Sequence, residues 1–116
     1  MKIEDGLPVG SAGDIETWFA ESGQLERELW AVIFKKASKK QTVTIAELID
    51  SAICWGWIDV QSKGVDDERY GIRFVPRKPG SNWSPTNRVA ASRLLAAGRM
   101  QPAGAALLPV DLVCPD

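Results

Sequence analysis

The sequence predicts an α+β fold, in which a small antiparallel sheet of about three strands packs against three main helices. Residues 29–34 form an unbroken apolar run, LWAVIF, which is typical of a strand covered on both faces. Strict alternation of apolar and polar residues over 57–63 and 69–76, around a Gly-Asp turn, predicts a hairpin. With three helical segments added, the predicted order is α-β-α-β-β-α.

The N-terminal part is predicted to hold a loose lead-in and a short helix. Residues 1–13 are rich in glycine and polar residues, which favours a loosely held segment. Asp14 is a good N-cap residue and Gly23 a good terminator, and the apolar residues between them recur at helical spacing. After the first strand, the lysines around 35–40 are interpreted as a solvated loop rather than a binding patch.

The second helix has the clearest signals in the sequence. Thr44 and Glu47 have the spacing of a capping box, in which each side chain satisfies the other residue's backbone amide. Gly56 is expected to end the helix in a left-handed conformation. Glu47, Asp50 and Ser51 are expected to face water. The buried face is expected to consist of Ile45, Leu48, Ile49, Ala52 and Ile53.

The alternation in the hairpin predicts which side chains face the core. Ile58 and Phe74 are expected on the core face. Asp59 is expected on the exposed face, across from Arg69 or Arg73, where opposite charges would pair.

A last helix is predicted after the hairpin, and the whole chain is expected to form one domain. Ser84 suits the N-cap and Pro85 the first helical position, with the helix running to about Ala97 before Gly98. Residues 105–116 are expected to be a weakly ordered tail.

Composition excludes several classes of protein. A length of 116 residues suits a single core, and no apolar run approaches the roughly 20 residues of a membrane span. The N-terminus lacks an apolar signal core, and two cysteines do not make a disulfide framework, so a cytoplasmic location is expected. The sequence contains no histidine, which removes histidine-based catalytic triads and the usual zinc sites. No metal or cofactor is predicted, and Cys54 is interpreted as a small core residue.

Charge is distributed unevenly along the chain. The net charge is −1, but residues 69–99 contain seven Lys or Arg and no Asp or Glu. This asymmetry suits an anionic partner on one side of the molecule, although a basic surface without a specific ligand would explain it too.

Several short motifs occur in order along the chain: CWGWID at 54–59, RY at 69–70, FVPRK at 74–78, SNWS at 81–84, Asn87, and GRM at 98–100. Together they resemble the bacteriocin-protection family, also called YdeI/OmpD-associated, over roughly residues 15–104. The resemblance implies a small bacterial cytoplasmic protein linked to protection against bacteriocins or cationic antimicrobial peptides. It implies no catalytic residues, because no reaction is established for that family.

The hairpin and the loop after it contain a candidate ligand site. Backbone amides at the start of the last helix would attract an anion, and an arginine would add a bidentate fork. Two tryptophans would supply flat walls for a ring or a sugar. The candidate residues are Trp57, Asp59, Arg73, Arg77, Lys78, Ser81, Trp83, Ser84 and Asn87.

A purely structural interpretation of these residues is also open, in which Trp83 covers the core edge and Arg77 pairs with Asp59. A binding module for a small anionic ligand is favoured over an enzyme, since Asp59 held ionised by an arginine is a poor general base and lacks a second carboxylate. A nucleic-acid-binding or protein-interaction domain is the alternative. The basic run favours nucleic acid, but the sequence lacks a glycine-aromatic RNA motif and a recognition-helix pattern.

Overall fold

The computed structural model describes residues 3–40, 43–80 and 82–109. The α+β class is confirmed. The helices are α1 (Ala12–Ser22), α2 (Ile45–Trp55), α3 (Pro85–Ala96) and the single turn α4 (Pro102–Ala105). The strands are β1 (Leu7–Pro8), β2 (Leu29–Phe34), β3 (Trp57–Gly64) and β4 (Arg69–Pro76). Short 3-10 helices span Ile3–Asp5 and Lys36–Ser38.

The sheet has four strands in the order β1-β2-β4-β3. The three predicted strands pair antiparallel, with β2 beside β4 and β4 beside β3. The fourth, β1, pairs parallel with β2 and was not predicted. The long strand β3 therefore forms one edge of the sheet and the two-residue β1 forms the other.

The N-terminal segment is held more firmly than predicted. Val9 is buried, and its N–H donates to the Val32 carbonyl at 2.9 Å, next to the β1–β2 pairing. Ile3 and Trp30 pack over Gly71 so closely that a Cβ there would lie 2.8 and 3.1 Å from them. Ile3 and Gly6 thus lie against the second face of the sheet and β1 extends its edge, so the expectation of a loose lead-in is wrong for residues 3–9.

Both ends of α1 are fixed by local hydrogen bonds. The helix begins earlier than predicted, because Ser11 rather than Asp14 is the N-cap. The Asp14 carboxylate instead accepts a hydrogen bond from the Gly10 N–H at 3.0 Å. Gly23 ends the helix as predicted, donating to the Phe19 carbonyl at 3.0 Å.

The capping box of α2 is confirmed, but its polar side is not solvated as predicted. Thr44 and Glu47 exchange both hydrogen bonds, and Gly56 ends the helix with φ +82°. Ser51 is fully buried, with its hydroxyl donating to Glu16 at 3.0 Å, and Asp50 pairs with Arg93. The two residues do not face water because α1 and α3 pack on that side of α2.

The hairpin register also differs from the prediction. Asp59 lies opposite Phe74, so both side chains face the helices. A bulge between Asp59 and Gln61 then shifts the pairing, and Arg73 lies opposite Gln61. Arg69 pairs with Asp66 instead of Asp59. The predicted pairing is wrong because β3 presents its other face to the helices: Trp57 and Asp59, rather than Ile58, lie on the same face as Phe74.

Two clusters of buried side chains stabilise the fold. The larger lies between the sheet and helices α1 and α2, and includes Phe19, Leu29, Leu48, Trp57 and Phe74. The smaller lies between α2, α3 and the C-terminal segment, and contains Ile53, Cys54, Ala91, Leu94 and Leu108.

The C-terminal segment packs against α2 through residue 108. A Cβ at Gly104 would lie 2.2 Å from the Cys54 carbonyl oxygen, so α4 sits directly on the end of α2. Leu108 is buried in the smaller cluster. The expectation of a weakly ordered tail is therefore wrong for residues 105–108, and residues 110–116 lie outside the described residues. Among the described helices, none is long and apolar enough to cross a membrane.

Candidate functional site

Arg77 is the one buried charged side chain in the core of the described structure, and it stands where β4 ends. Pro76 cannot continue the hydrogen-bond ladder, and the Arg77 N–H donates instead to the Gly56 carbonyl at 2.8 Å. This bond ties the end of β4 to the junction of α2 and β3. The residue is 4% exposed, so its side chain lies within the protein.

The Arg77 guanidinium is held by the loop that follows it. Its carbon lies 3.7 Å from the centre of the Trp83 ring, and Nη1 donates to the Asn82 carbonyl at 3.3 Å. Burial lowers the pKa of Arg77, while the negative charge of Asp59 acts in the opposite direction. The ring face compensates for part of the lost hydration. Arg77 therefore fixes the loop to the core.

A crevice of about 220 Å³ lies beside Arg77. The residues that line it include two arginines, a glutamine and two tryptophans: Arg27, Arg77, Gln24, Trp55 and Trp57. None of the residues that line it is acidic. Two arginines in a lining without carboxylates give the crevice a positive character.

Different elements hold these side chains in place. Trp55, at the end of α2, donates from its indole nitrogen to the Glu16 carboxylate at 2.5 Å. Trp57 is buried and meets Trp18 edge to face, with 5.5 Å between ring centres. Both indoles are therefore fixed walls of the crevice.

Arg27 is the functional candidate that the sequence did not indicate. It is exposed, in the connection between α1 and β2. Across residues 3–40, 43–80 and 82–109, no carboxylate lies within ion-pair distance of it. No local motif marks this residue, because only the packing of α1 against the sheet brings it to Arg77.

The residues predicted at the start of α3 are arranged differently from the expectation. Ser84 is the N-cap as predicted, and the Asn87 N–H donates to its hydroxyl at 3.2 Å. Pro85 has no N–H. The first turn of α3 therefore offers a ligand fewer amides than the sequence suggests. Lys78 is exposed, and Ser81 lies outside the described residues.

Two other predicted residues lie away from the crevice. Arg73 forms an ion pair with Glu28 on the sheet face opposite the helices. Asp59 is half-buried and lines a separate groove beside Ile45 and Val60. The structure thus brings Trp57, Arg77 and Trp83 together, but it does not gather all nine predicted residues into one site.

The basic run at 69–99 does not become a basic surface. Four of its arginines form ion pairs with carboxylates from other parts of the chain: Arg69 with Asp66, Arg73 with Glu28, Arg93 with Asp50, and Arg99 with Glu16. Arg77 is buried. A nucleic-acid surface needs exposed cations along one face, so this pairing weakens that alternative.

The structure also shows the environment of the Cys54 thiol and of side chains that could bind a metal ion. Cys54 is buried as predicted, and burial raises the pKa of its thiol to about 11. A thiol with such a pKa is almost entirely protonated at neutral pH and is a poor nucleophile. Within the described ranges, no three His, Cys, Asp or Glu side chains lie close enough to hold a metal ion.

The fold and the crevice define a small α+β protein with an arginine-lined pocket at one end of its sheet. Comparison with protein families shows that the chain belongs to a family described as "Domain of unknown function (DUF8412)", which matches residues 7–107. No curated protein and no solved structure matches the chain.

Proposed function

We propose that this protein is a binding module that holds a small anion in the crevice between Arg27 and Arg77. The observation that supports this most strongly is the pair of arginines on one crevice without an acidic lining residue. A guanidinium group binds a carboxylate or phosphate through two parallel hydrogen bonds. Arg77 is already positioned by Trp83, so binding costs little additional conformational entropy of that side chain.

The size of the crevice limits the ligand. About 220 Å³ is below the roughly 300–1,000 Å³ of pockets that enclose drug-sized molecules. Inorganic phosphate, or the anionic end of a larger molecule, fits this space. The flat walls of Trp55 and Trp57 favour a ring or an aliphatic group next to the anion.

A binding role suits the lining better than catalysis. General acid–base chemistry at neutral pH needs a group that exchanges protons near that pH, and a guanidinium group does not. The remaining lining residues are tryptophan, glycine, proline, alanine, leucine and glutamine. These side chains can shape and orient a ligand but cannot exchange its protons.

The cellular role is the less direct part of the proposal. The sequence resemblance to the bacteriocin-protection family suggests a cytoplasmic protein that takes part in resistance to bacteriocins or cationic antimicrobial peptides. Binding of an anionic metabolite would suit a sensor or regulator in such a response. The binding test below does not depend on this role.

The proposal can be tested by titrating the protein with inorganic phosphate while recording the indole NH signals of Trp55 and Trp57 by NMR. We expect both signals to shift, and Arg27→Gln to weaken binding about tenfold or more, as for the loss of a hydrogen bond to a charged group. Lys63→Gln removes an equal charge from the exposed strand β3 and should leave binding unchanged.

Two results would overturn the proposal. One is the absence of any shift of the two indole signals at millimolar phosphate. The other is an equal loss of affinity in Arg27→Gln and Lys63→Gln, which would indicate attraction by net charge alone.

A further inference from the structure

A cavity of about 600 Å³ lies at the opposite end of α2 from the crevice. It opens between the N-terminus of α2 and the ends of β2 and β4. Its floor is apolar and consists of Ile33, Phe34, Val43, Ile45 and Tyr70. We refer to this cavity as the lysine groove, because Lys36, Lys39 and Lys40 form its rim.

The apolar floor continues beyond the lysine groove. A neighbouring groove of about 380 Å³ shares Ile45 and Tyr70 with it and extends along the edge strand β3. Ile45 is 43% exposed and Val60, in this second groove, is 49% exposed. The exposed side chains of Ile45 and Val60 extend the apolar surface toward β3, where polar residues also line the groove: Asp59, Gln61 and Ser62.

The backbone places the lysines together on one rim. Lys36 begins a 3-10 helix, and Lys39 ends it in the left-handed region with φ +59°, which is unfavourable for a residue other than glycine. Lys40 forms an ion pair with Glu68 and lies over the Phe34 ring.

The other two lysines differ from Lys40. Lys36 and Lys39 are exposed, and no carboxylate of the described residues lies within ion-pair distance of either. Their two positive charges therefore border the apolar floor, and neither forms an ion pair with a described carboxylate.

We infer that the lysine groove binds a small molecule that has an apolar body and a single carboxylate. The volume of about 600 Å³ is within the range of pockets for small organic ligands. The hydrocarbon part of the ligand packs on the apolar floor, and the ammonium groups of Lys36 and Lys39 donate hydrogen bonds to its carboxylate at the rim. A neutral hydrocarbon would leave the two charges unused, and a polyanion would gain nothing from the floor.

This site is separate from the arginine crevice. Ile45 at the first residue of α2 lines the groove, whereas Trp55 at its last residue lines the crevice. A helix of 11 residues is about 16 Å long, so a small ligand in one site does not reach the other.

A pair of matched probes tests this inference. Octanoate and octanol have the same hydrocarbon length, but only octanoate carries a charge. We expect octanoate to bind the wild-type protein more tightly, with the largest NMR amide shifts at residues 36–40, 45 and 70. The double variant Lys36→Gln/Lys39→Gln should lose about tenfold in octanoate affinity, as for lost hydrogen bonds to a charged group, and keep its octanol affinity.

The matched control is Lys63→Gln/Lys78→Gln, which removes the same charge from exposed sites that do not line the groove. It should retain the preference for octanoate. Ile45→Ser should weaken both probes, because it removes part of the apolar floor at an exposed position that does not endanger folding.

Three results would overturn the inference. The first is equal affinity of the wild type for octanoate and octanol. The second is an equal loss in the control double variant. The third is displacement of octanoate by a short polyglutamate peptide at lower concentration, which would assign the lysines to an acidic protein partner.

Discussion

A cation lies over an aromatic ring near each end of α2, and the two contacts differ in their exposure to solvent. Near the C-terminal end, Arg77 is 4% exposed and its guanidinium lies 3.7 Å from the Trp83 ring centre. Near the N-terminal end, the Lys40 side chain is 53% exposed and its ammonium lies 5.2 Å from the Phe34 ring centre. The Arg77–Trp83 contact compensates for hydration that the buried guanidinium has lost, whereas water competes for the exposed ammonium of Lys40.

The difference in burial suggests different uses for the two regions. At the arginine end, the tryptophan walls and the charge of Arg77 are held in place before a ligand arrives, which favours a small, well-defined anion. At the lysine end, long solvated side chains border an open apolar floor, which favours ligands of varied shape. The following predictions test this contrast, beginning with the largest expected effect.

Three isoleucines along α2 differ in burial, which increases from its N-terminal to its C-terminal end. Ile53 is 2% exposed, Ile49 is half-buried and Ile45 is 43% exposed. Ile53→Ala should lower the free energy of unfolding by about 2–5 kcal/mol, because it leaves a cavity in the smaller cluster. Ile45→Ala should cost less than about 1 kcal/mol, with Ile49→Ala between them. Urea denaturation of the three variants measures the order.

If Ile45→Ala destabilises the protein as much as Ile53→Ala, then Ile45 is buried in solution. The lysine groove would not then be open, and the contrast between the two ends would fail.

The second prediction compares the two cations directly. Arg77→Ala should lower the free energy of unfolding by about 2 kcal/mol or more, the value of a desolvated cation–π contact, because the loop at 78–83 also loses its anchor. Lys40→Ala should cost less than about 1 kcal/mol, since its ion pair and ring contact are exposed. Thermal unfolding of both variants at one pH measures the difference.

Arg77→Lys serves as the control for charge. It keeps the positive charge but not the planar group that stacks on Trp83, so it should recover only part of the loss. Full recovery would show that charge rather than stacking stabilises this end.

Signals contained within a few residues predicted much of the fold. The capping box of Thr44 and Glu47, the left-handed Gly56, and Ser84 followed by Pro85 all meet a backbone requirement of their own neighbours. Such local requirements do not depend on tertiary packing. The same holds for the apolar run of β2, whose composition already indicates two covered faces.

The features that the sequence did not predict depend on residues far apart in the chain. Ser51 is buried only because Glu16 of α1 lies against it. The face of Asp59 follows from the way β3 pairs with β4. Arg27 meets the Arg77 crevice across 50 residues of sequence, and neither position contains a motif that refers to the other. Of the predicted site residues, Trp57 and Arg77 therefore line the crevice, whereas Trp83 stacks on Arg77 without lining it.

The last prediction, also a small effect, concerns the capping box at the lysine end. Thr44→Ala should cost about 1 kcal/mol by removing the hydroxyl that accepts from the Glu47 N–H at 3.1 Å. The backbone hydrogen bond from Thr44, followed by the bond from its hydroxyl, holds the pKa of Glu47 below its ordinary value of 4.5. Since the folded pKa is the lower one, the contribution of Glu47 is present above pH 4.5 and is lost as the pH falls through the folded pKa. Glu47→Gln keeps an acceptor but does not titrate, so the stability difference between wild type and Glu47→Gln should shrink on acidification, as measured by urea denaturation at several pH values. A difference that stays constant from pH 7 to pH 3 would mean that the carboxylate is not held by Thr44 in solution.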